Sequence, residues 1–378
     1  MVIIVGGGPT GLWLACELRL AGIAVQVLDR RPARTGESRA GGLHARSLEI
    51  LELRGLAERF LAEGRRVPNA HFAGLWLDLS RLDTRYPFVL GLVQSRVEAL
   101  LEEHLHGYGD RVRWNAEVTA VHQGADFAEV RTAAGETFRG DYVVACDGGR
   151  STVRGLLGIP FEGTDPTVSS MLADVQLADP PDGPIFQRRT PLGDYTVLQL
   201  EAGCHRLMIN QYDPAPRDAP LDLATFRALF TAMAGTDFGL HSPQWISRYH
   251  DAARLAATYR RDRFLLAGDA AHVHWPAGGQ GLNTGLQDAT NLGWKLAATI
   301  RGADPRLLDT YEAERRPVAA RVLANTRAQV ALSRPGPQVD ALRAAMADLL
   351  TVPEANDRLA AMITGLDQPA VSAAPAIP

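Results

Sequence analysis

The first dozen residues constrain the fold of this chain more than any other segment. An apolar run from Val2 to Val5 is typical of a buried parallel strand, and glycines at positions 6, 8 and 11 follow it with the spacing G-x-G-x-x-G. These glycines permit, in order, a tight turn, a close approach of the backbone to a pyrophosphate, and close packing of a helix on the strand. Apolar residues at helical spacing continue to Leu20, so the free N–H groups of a helix start face the turn. The segment predicts a site for an anionic dinucleotide.

A carboxylate follows at the distance that such a site requires. A second predicted strand, Ala24 to Leu28, ends at Asp29, where a carboxylate can accept both ribose hydroxyls of an adenosine. NAD and FAD share the adenosine half, so this motif leaves the choice between them open.

Composition excludes several other classes of protein. The chain has 378 residues, 46% of them hydrophobic, and its net charge of −4 does not indicate binding to nucleic acid or to an acidic membrane surface. The three cysteines lie far apart, which argues against a disulfide framework or a zinc site. Met1 opens directly into the first strand, and no apolar run is long enough to span a bilayer. We expect a soluble, cytoplasmic protein without a bound metal.

An arginine-rich loop follows Asp29. Arg39 and Arg46 are the best candidates in it for contacts to phosphates of the bound dinucleotide or of a second, transient one, and a solvated loop is an equal alternative for either. Gln94 lies between a short predicted strand and a helix from Ser95 to His106, where its amide can point into a cleft.

Two later strands also end in a carboxylate. The first leads to Asp147-Gly148, which is either a second nucleotide contact or a structural turn. The second leads to Gly268-Asp269 and a proline–glycine loop, Pro276 to Asn283, that opens a helix. Asp269 can hold a ribityl or ribose hydroxyl, and the N–H groups around Gly281 to Asn283 can stabilise negative charge on an electron-rich heterocycle when it is reduced.

The pattern changes between these motifs. From Gly163 to about Ser247, strand-like pieces separated by proline- and aspartate-rich turns predict a mostly antiparallel sheet. We expect this substrate-binding domain, 163–247, to be inserted into an α/β, Rossmann-like domain built from the discontinuous segments 1–162 and 248–330, which include a small β insert at 86–140. C-terminal helices are expected at 331–366, after a helical run from Leu307 to Val330 interrupted at Pro317, and a flexible tail at 367–378. Candidate pocket residues in the inserted sheet, although such residues are more often ordinary core, are Phe186, Leu198, Met208 and Tyr212.

The three motifs in this order resemble the group A FAD-dependent aromatic hydroxylases of the para-hydroxybenzoate hydroxylase fold, and the resemblance extends to about residue 366. The runs Ala234 to Trp245 and Gly278 to Asn283 are similar to the branch that acts on polyketide antibiotics, including rifampicin, angucycline and tetracycline hydroxylases. Many members of that branch carry a further thioredoxin-like domain at the C-terminus, so a truncated sequence is one expectation.

The resemblance implies non-covalent FAD and a set of contacts to it. Asp29 and Arg30 would hold the adenosine end, and Asp269 the ribityl side. No catalytic residue is certain, and the loop from Pro276 to Gly281 would position the flavin. The implied cofactor contacts are Gly6, Gly8, Pro9, Thr10, Gly11, Asp29, Arg30, Arg39, Arg46, Gln94, Asp147, Asp269, Pro276, Gly279, Gly281, Leu282 and Asn283.

The resemblance also implies a reaction. NADPH or NADH, bound transiently near Arg39 and Arg46, reduces FAD; O₂ then gives a C4a-hydroperoxide that hydroxylates an electron-rich arene. The expected substrate is a large aromatic polyketide, phenolic or naphthoquinone-like, in antibiotic biosynthesis or inactivation, and the expected protein is a monomer or homodimer without nucleic-acid or membrane partners. The alternatives are a Baeyer–Villiger monooxygenase on the same scaffold and a non-catalytic flavoprotein that sequesters a drug.

Overall fold

The computed structural model describes residues 1–201, 203–212 and 221–368. The helices in these residues are α1 (Pro9–Leu20), α2 (Ala45–Glu52), α3 (Ala57–Leu61), α4 (Gln94–Gly107), α5 (Thr152–Leu156), α6 (Leu223–Ala234), α7 (Gln280–Ile300), α8 (Asp309–Ser333), α9 (Pro337–Leu349) and α10 (Pro353–Thr364). The strands are β1 (Val2–Val5), β2 (Val25–Leu28), β3 (Gly42–Leu43), β4 (Arg65–Val67), β5 (Asn69–Phe72), β6 (Leu75–Asp78), β7 (Val89–Gly91), β8 (Val112–Arg113), β9 (Val118–Gln123), β10 (Ala128–Thr132), β11 (Thr137–Gly140), β12 (Tyr142–Ala145), β13 (Phe161–Thr164), β14 (Ser169–Leu177), β15 (Ile185–Thr190), β16 (Gly193–Glu201), β17 (Cys204–Gln211), β18 (Leu240–His250), β19 (Ala253–Ala256), β20 (Arg260–Arg261), β21 (Phe264–Leu266) and β22 (His272–Val273).

The central sheet is assembled from distant parts of the chain. Its strand order is β20-β21-β12-β1-β2-β8, and all neighbours except β20 and β21 run parallel. All four residues of β1 are buried, as are those of β12, which is the expected state of parallel strands covered on both faces. Helix α1 packs between α4 and α7 beside this sheet. The prediction of a Rossmann-like α/β fold from discontinuous segments is confirmed.

A second sheet is antiparallel, also as predicted. Its strand order is β15-β16-β17-β14-β18, so it extends from Ser169 to His250. Helix α6 covers one face and places Phe226 and Phe230 against the sheet. The short pair of β13 and β19 joins this sheet to the rest of the chain.

The C-terminal helices correct one expectation. Helix α8 continues through Pro317 instead of being interrupted there. Proline removes one N–H donor from a helix, and here Arg315, Val318 and Ala319 are buried around it and hold the helix together. No helix in the described ranges has the length and apolar character to cross a membrane. The predicted flexible tail, 367–378, lies outside the described residues from position 369 onward.

Candidate cofactor and substrate site

The three motifs that the sequence separates meet at one edge of the central sheet. Val5 pairs with Ala145, and Ala145 pairs with Leu266, so the carboxyl ends of β1, β12 and β21 are adjacent. The side chain of Thr10 lies so close to Gly268 and Gly285 that a Cβ on either glycine would come within 2.6 and 2.3 Å of its Oγ1, respectively. In open α/β sheets, ligands bind beyond the carboxyl ends of the strands. The fold therefore brings the glycine turn, Asp147 and Asp269 to one edge of the sheet.

The glycines of the first turn differ in what surrounds them. Gly6 has φ +113°, and a Cβ there would lie 2.2 Å from the carbonyl oxygen of Cys146. A Cβ on Gly8 would meet nothing within 4 Å, so this glycine borders open space. Pro9 begins α1, and Gly8, at the N-cap, supplies no side-chain hydrogen bond. The first N–H groups of α1 are thus left for an anion.

Asp29 is held by protein groups on both carboxylate oxygens. Its Oδ2 accepts the N–H of Gly7 at 2.7 Å and Nη2 of Arg31 at 2.9 Å, while its Oδ1 accepts the N–H and Nε of Arg31 at 2.8 and 3.0 Å. Burial alone would raise the pKa of Asp29, but the bonds from Arg31 and Gly7 lower it. A carboxylate offers about four acceptor positions. A ribose could therefore reach Asp29 only if Arg31 gave up some of these bonds. Arg30 is exposed.

Arg39, Gln94 and Arg46 have different surroundings. Arg39 is exposed. Gln94 accepts the N–H of Ala40 at 3.2 Å and donates to Glu98 at 2.8 Å, so it fixes the arginine-rich loop to α4. Arg46 pairs with Glu49 at 2.5 Å and donates to the carbonyl oxygens of two residues that follow α10, Gly365 and Gln368.

Asp147 caps a short helix. Its Oδ2 accepts the N–H groups of Thr152 and Val153 at 2.8 and 3.2 Å, and its Oδ1 is buried without a partner among the described residues. Burial raises the pKa of this carboxyl. Arg154, in the helix that Asp147 caps, donates to the carbonyl oxygen of Ala270 at 2.8 Å. This hydrogen bond therefore links the segment that follows Asp147-Gly148 to the segment that follows Gly268-Asp269.

Beneath Asp269 lies a buried ionic network that the sequence analysis missed. Asp288 is fully buried and lies 2.7 Å from Nε2 of His272 and 2.8 Å from Nε of Arg315, and it accepts the N–H of Gly268 at 3.2 Å. Burial alone would raise the pKa of Asp288, but His272 and Arg315 lower it. Asp269 itself is exposed. The only sequence signal for this network is that Asp288 is the single carboxylate of α7.

The loop before α7 positions an uncapped helix end. Gly278 and Gly279 have φ of +71° and +66°, which only glycine adopts readily, and no side chain caps α7. The Oδ1 of Asn283 accepts the N–H of His44 at 2.8 Å and Oγ of Ser47 at 2.7 Å. The side chain of Asn283 thus ties α7 to α2 and leaves the first N–H groups of α7 available, including those at Gly281 and Leu282. Pro276, which precedes this end, is exposed.

The predicted pocket residues fall on two faces of the antiparallel sheet. Phe186 pairs with Val197 and packs in the core under α6, so it lies away from the opposite face. Met208 and Leu198 are half-buried and lie on the other face, which α6 does not cover and which we call the open face. Met208 pairs with Leu172 and Thr196, and Leu198 lies two residues from Thr196. Phe186 thus lies on the face that α6 covers, because side chains alternate between faces along a strand, and it packs half-buried against the core there.

Tyr212 lies where that open face meets the loop before α7. Its hydroxyl donates to Asp194 at 2.6 Å, and its ring packs against a cluster that includes Trp275. Tyr249, from β18, has its ring centroid 5.4 Å from that of Trp275. Tyr249 and Trp275 were not predicted from the sequence, because their aromatic character alone gave no indication of their position.

Comparisons with known proteins bear on the family and the fold of this chain. The model of the FAD binding domain family matches residues 1–326. The 12-dehydrotetracycline 5-monooxygenase/anhydrotetracycline 6-monooxygenase of Streptomyces rimosus is 47% identical, over 97% of this chain and 76% of its own length. Rifampicin monooxygenase of Streptomyces venezuelae is 46% identical, over 97% and 78%. The solved structure of the Diels-Alderase PyrE3, in the biosynthetic pathway of pyrroindomycins, matches with a TM-score of 0.90 at 40% identity, over 96% and 80%.

Proposed function

This chain belongs to the FAD binding domain family and is an FAD-dependent monooxygenase, and on that premise we propose that it hydroxylates a large aromatic polyketide with NAD(P)H and O₂. The observation that carries the proposal is the meeting, at one sheet edge, of the open space at Gly8, the exposed Asp269 and the uncapped start of α7. The two relatives described above, 47% and 46% identical, are named for 12-dehydrotetracycline and anhydrotetracycline and for rifampicin, which supports the same class of substrate.

The residues at this edge fit FAD. The N-terminus of α1, bordered by Gly8, would hold the pyrophosphate, and Asp269 would accept a ribityl hydroxyl. The N–H groups at Gly281 and Leu282 would face the flavin ring. FAD supplies the redox chemistry when it is bound: it accepts a hydride and activates O₂. The chain holds the ring, positions the substrate and excludes water.

For the nicotinamide donor we propose a transient site beside Arg39. Arg39 is exposed, whereas Arg46 is already bonded to Glu49 and to the residues after α10. A guanidinium that is free to reorient is better suited to a phosphate that comes and goes. We therefore give Arg39 the larger role of the two.

For the substrate we propose the open face of the antiparallel sheet. Leu198 and Met208 supply apolar surface there, and Tyr212 brings that face up to the loop before α7. A buried ion pair, Asp174 with Arg206 at 2.7 Å, stabilises the sheet next to Trp245. A half-buried apolar wall with a few polar groups suits a large aromatic ligand.

The test is an oxygen-isotope experiment with the FAD-loaded protein. Rifamycin, tetracycline and angucycline substrates are incubated separately with NADPH or NADH under ¹⁸O₂, and consumption of the nucleotide and product mass are measured. We expect substrate-stimulated oxidation and a product heavier by one labelled oxygen atom. An ester or lactone product would instead indicate Baeyer–Villiger insertion.

Because the chain also resembles a Diels-Alderase in structure, a reaction without oxidation is the outcome that would contradict the proposal. Conversion of a substrate without consumption of O₂ or NAD(P)H would overturn the hydroxylase proposal. Tight substrate binding without any conversion would indicate a sequestering flavoprotein instead.

The Arg39→Ala variant tests the proposed nicotinamide site. We expect a raised KM for the nucleotide with unchanged FAD content.

A further inference from the structure

His274 has one ring nitrogen committed to the backbone and one without a partner. Its Nδ1 lies 2.7 Å from the carbonyl oxygen of Trp275. A carbonyl oxygen only accepts hydrogen bonds, so Nδ1 carries the proton and Nε2 presents a bare lone pair in the neutral ring. Nε2 is buried and has no hydrogen-bond partner among the described residues. Burying an acceptor without a hydrogen-bond partner costs free energy, unless a ligand supplies the missing partner.

This lone pair is directed at the start of α7. A Cβ on Gly281 would lie 3.6 Å from Nε2 of His274, and no side chain caps the helix. A second histidine, His44, approaches the same helix start, and a Cβ on Gly279 would lie 3.5 Å from its Nε2. His274 is thus an acceptor placed among N–H donors, at the end of a helix whose dipole favours negative charge.

We propose that His274 takes up one proton when the flavin bound against the start of α7 is reduced, and releases it when the flavin is reoxidised. The inference rests on the proposed function, because it requires FAD in that position. Reduction delivers two electrons and one proton to the flavin as a hydride from NAD(P)H. A second proton passes from solvent to Nε2 of His274. The charge gained by the ring is thus neutralised by the imidazolium.

The surroundings of His274 keep its ring neutral until a negative charge is added nearby. Burial lowers its pKa, the bond to Trp275 and the charge of Asp269 raise it, and His272 lowers it, with a net lowering. Burial also lowers the pKa of His44, so no other charge is added at the start of α7. The ring is neutral when no anion is present. A nearby negative charge favours the protonated form of histidine, and reduction of a flavin held at this helix start would supply such a charge.

Two substitutions separate the roles of the two ring nitrogens of His274. The amide nitrogen of His274→Asn can replace Nδ1 as donor to Trp275 but leaves nothing at Nε2. The amide of His274→Gln reaches the place of Nε2 but does not titrate. A matched control is His205→Asn, because His205 is also buried with one unpartnered ring nitrogen but lies in the antiparallel sheet.

The test measures the midpoint potential of the bound flavin against pH, by spectroscopic titration with dithionite in the neutral to alkaline range. We expect two protons per two electrons in the native protein and in His205→Asn, and one proton per two electrons in both His274 variants. The slope of potential against pH would therefore fall to half. A native slope of one proton per two electrons would already contradict the proposal, even if a variant loses its flavin.

Two outcomes are kept apart by this design. A native slope of one proton per two electrons, or an unchanged slope in flavin-loaded His274 variants, would overturn the role of His274 and leave the proposed function intact. Failure of the native protein to bind FAD would overturn the proposed function and, with it, this inference.

Discussion

A Cβ on Gly11 would lie 2.0 Å from the carbonyl oxygen of Gly6, so α1 rests on the turn below it only because position 11 has no side chain. Gly8, three residues earlier, is different: a Cβ there would meet no atom within 4 Å. The two glycines of one motif therefore serve different needs. Gly11 is required by the fold, and Gly8 leaves open space beside the start of α1.

This difference predicts opposite phenotypes for two alanine substitutions. Gly11→Ala should destabilise the protein by about 1–3 kcal/mol or more, because the new methyl group meets rigid backbone. Gly8→Ala should keep its melting temperature and weaken FAD binding by about tenfold or more, because the methyl group enters the space for the pyrophosphate. Thermal unfolding of the apoprotein and titration with FAD measure the two effects separately.

The assignment of roles would fail if Gly8→Ala bound FAD normally or if Gly11→Ala were as stable as the native protein. Gly36→Ala is a suitable control, since a Cβ at that position also meets nothing within 4 Å and lies outside the turn.

The glycine turn was predictable from sequence because local sterics dictate it. Positive φ at Gly6 and close approach at Gly11 are consequences of a strand that turns directly into a helix. The meeting of the three motifs was predictable for a related reason, since parallel strands place their carboxyl ends at one edge.

The partners of individual side chains were not predictable. The contact of Asp29 with ribose stays a prediction, but nothing in the sequence indicated that Arg31 and Gly7 would bond to this carboxylate. Arg46 was grouped with Arg39, yet it bonds to Gly365, 319 residues away. Such contacts depend on tertiary packing, which the spacing of residue types does not encode.

Strand register was the second feature that the sequence did not specify. Phe186 and Leu198 were both plausible wall residues, but they fall on opposite faces of the sheet. A shift of one residue in register exchanges the two faces, and a sequence with polar and apolar residues on both faces does not specify register strongly. The pairing of β15 with β16 was therefore needed to separate them.

Asp269 supplies a second prediction. Its side chain is exposed at the edge where the three motifs meet, so Asp269→Ala should fold normally. Loss of a hydrogen bond that a ribityl hydroxyl donates to a charged carboxylate costs about 1.5–3 kcal/mol. We expect a purified protein with little colour and an FAD dissociation constant raised by roughly ten- to a hundredfold. Asp182→Ala, at an exposed turn between β14 and β15, is the matched control, and equal flavin retention by both variants would remove Asp269 from the site.

His44 makes stability depend on pH. It is 3% exposed, and burial lowers its pKa from 6.5 to about 4. Between these values the unfolded chain binds more protons than the folded one, so stability is full above pH 6.5 and falls as the pH drops toward 4. The difference amounts to roughly 3 kcal/mol for this residue.

Urea unfolding of the native protein and of His44→Gln across that pH window measures the contribution. We expect the variant to lose part of the pH dependence, because His71 and His274, whose pKa values burial also lowers, contribute in the same direction. His241→Gln, an exposed histidine, should retain the native profile. Identical profiles for His44→Gln and the native protein would show that His44 does not contribute.

The two faces of the antiparallel sheet give a final prediction. Met208 lies half-buried on the open face, and Phe186 packs under α6 against Tyr195 and Phe238. Met208→Ala should therefore raise the KM for an aromatic polyketide several-fold, with little change in stability or FAD content, since its side chain faces the proposed substrate. Phe186→Ala should instead lower the free energy of unfolding by about 3 kcal/mol, because it removes a packed aromatic ring. Steady-state kinetics and chemical denaturation of both variants separate the two roles. If Met208→Ala lost stability and left KM unchanged, the open face would not be the substrate wall, and the site would have to lie elsewhere along the loop before α7.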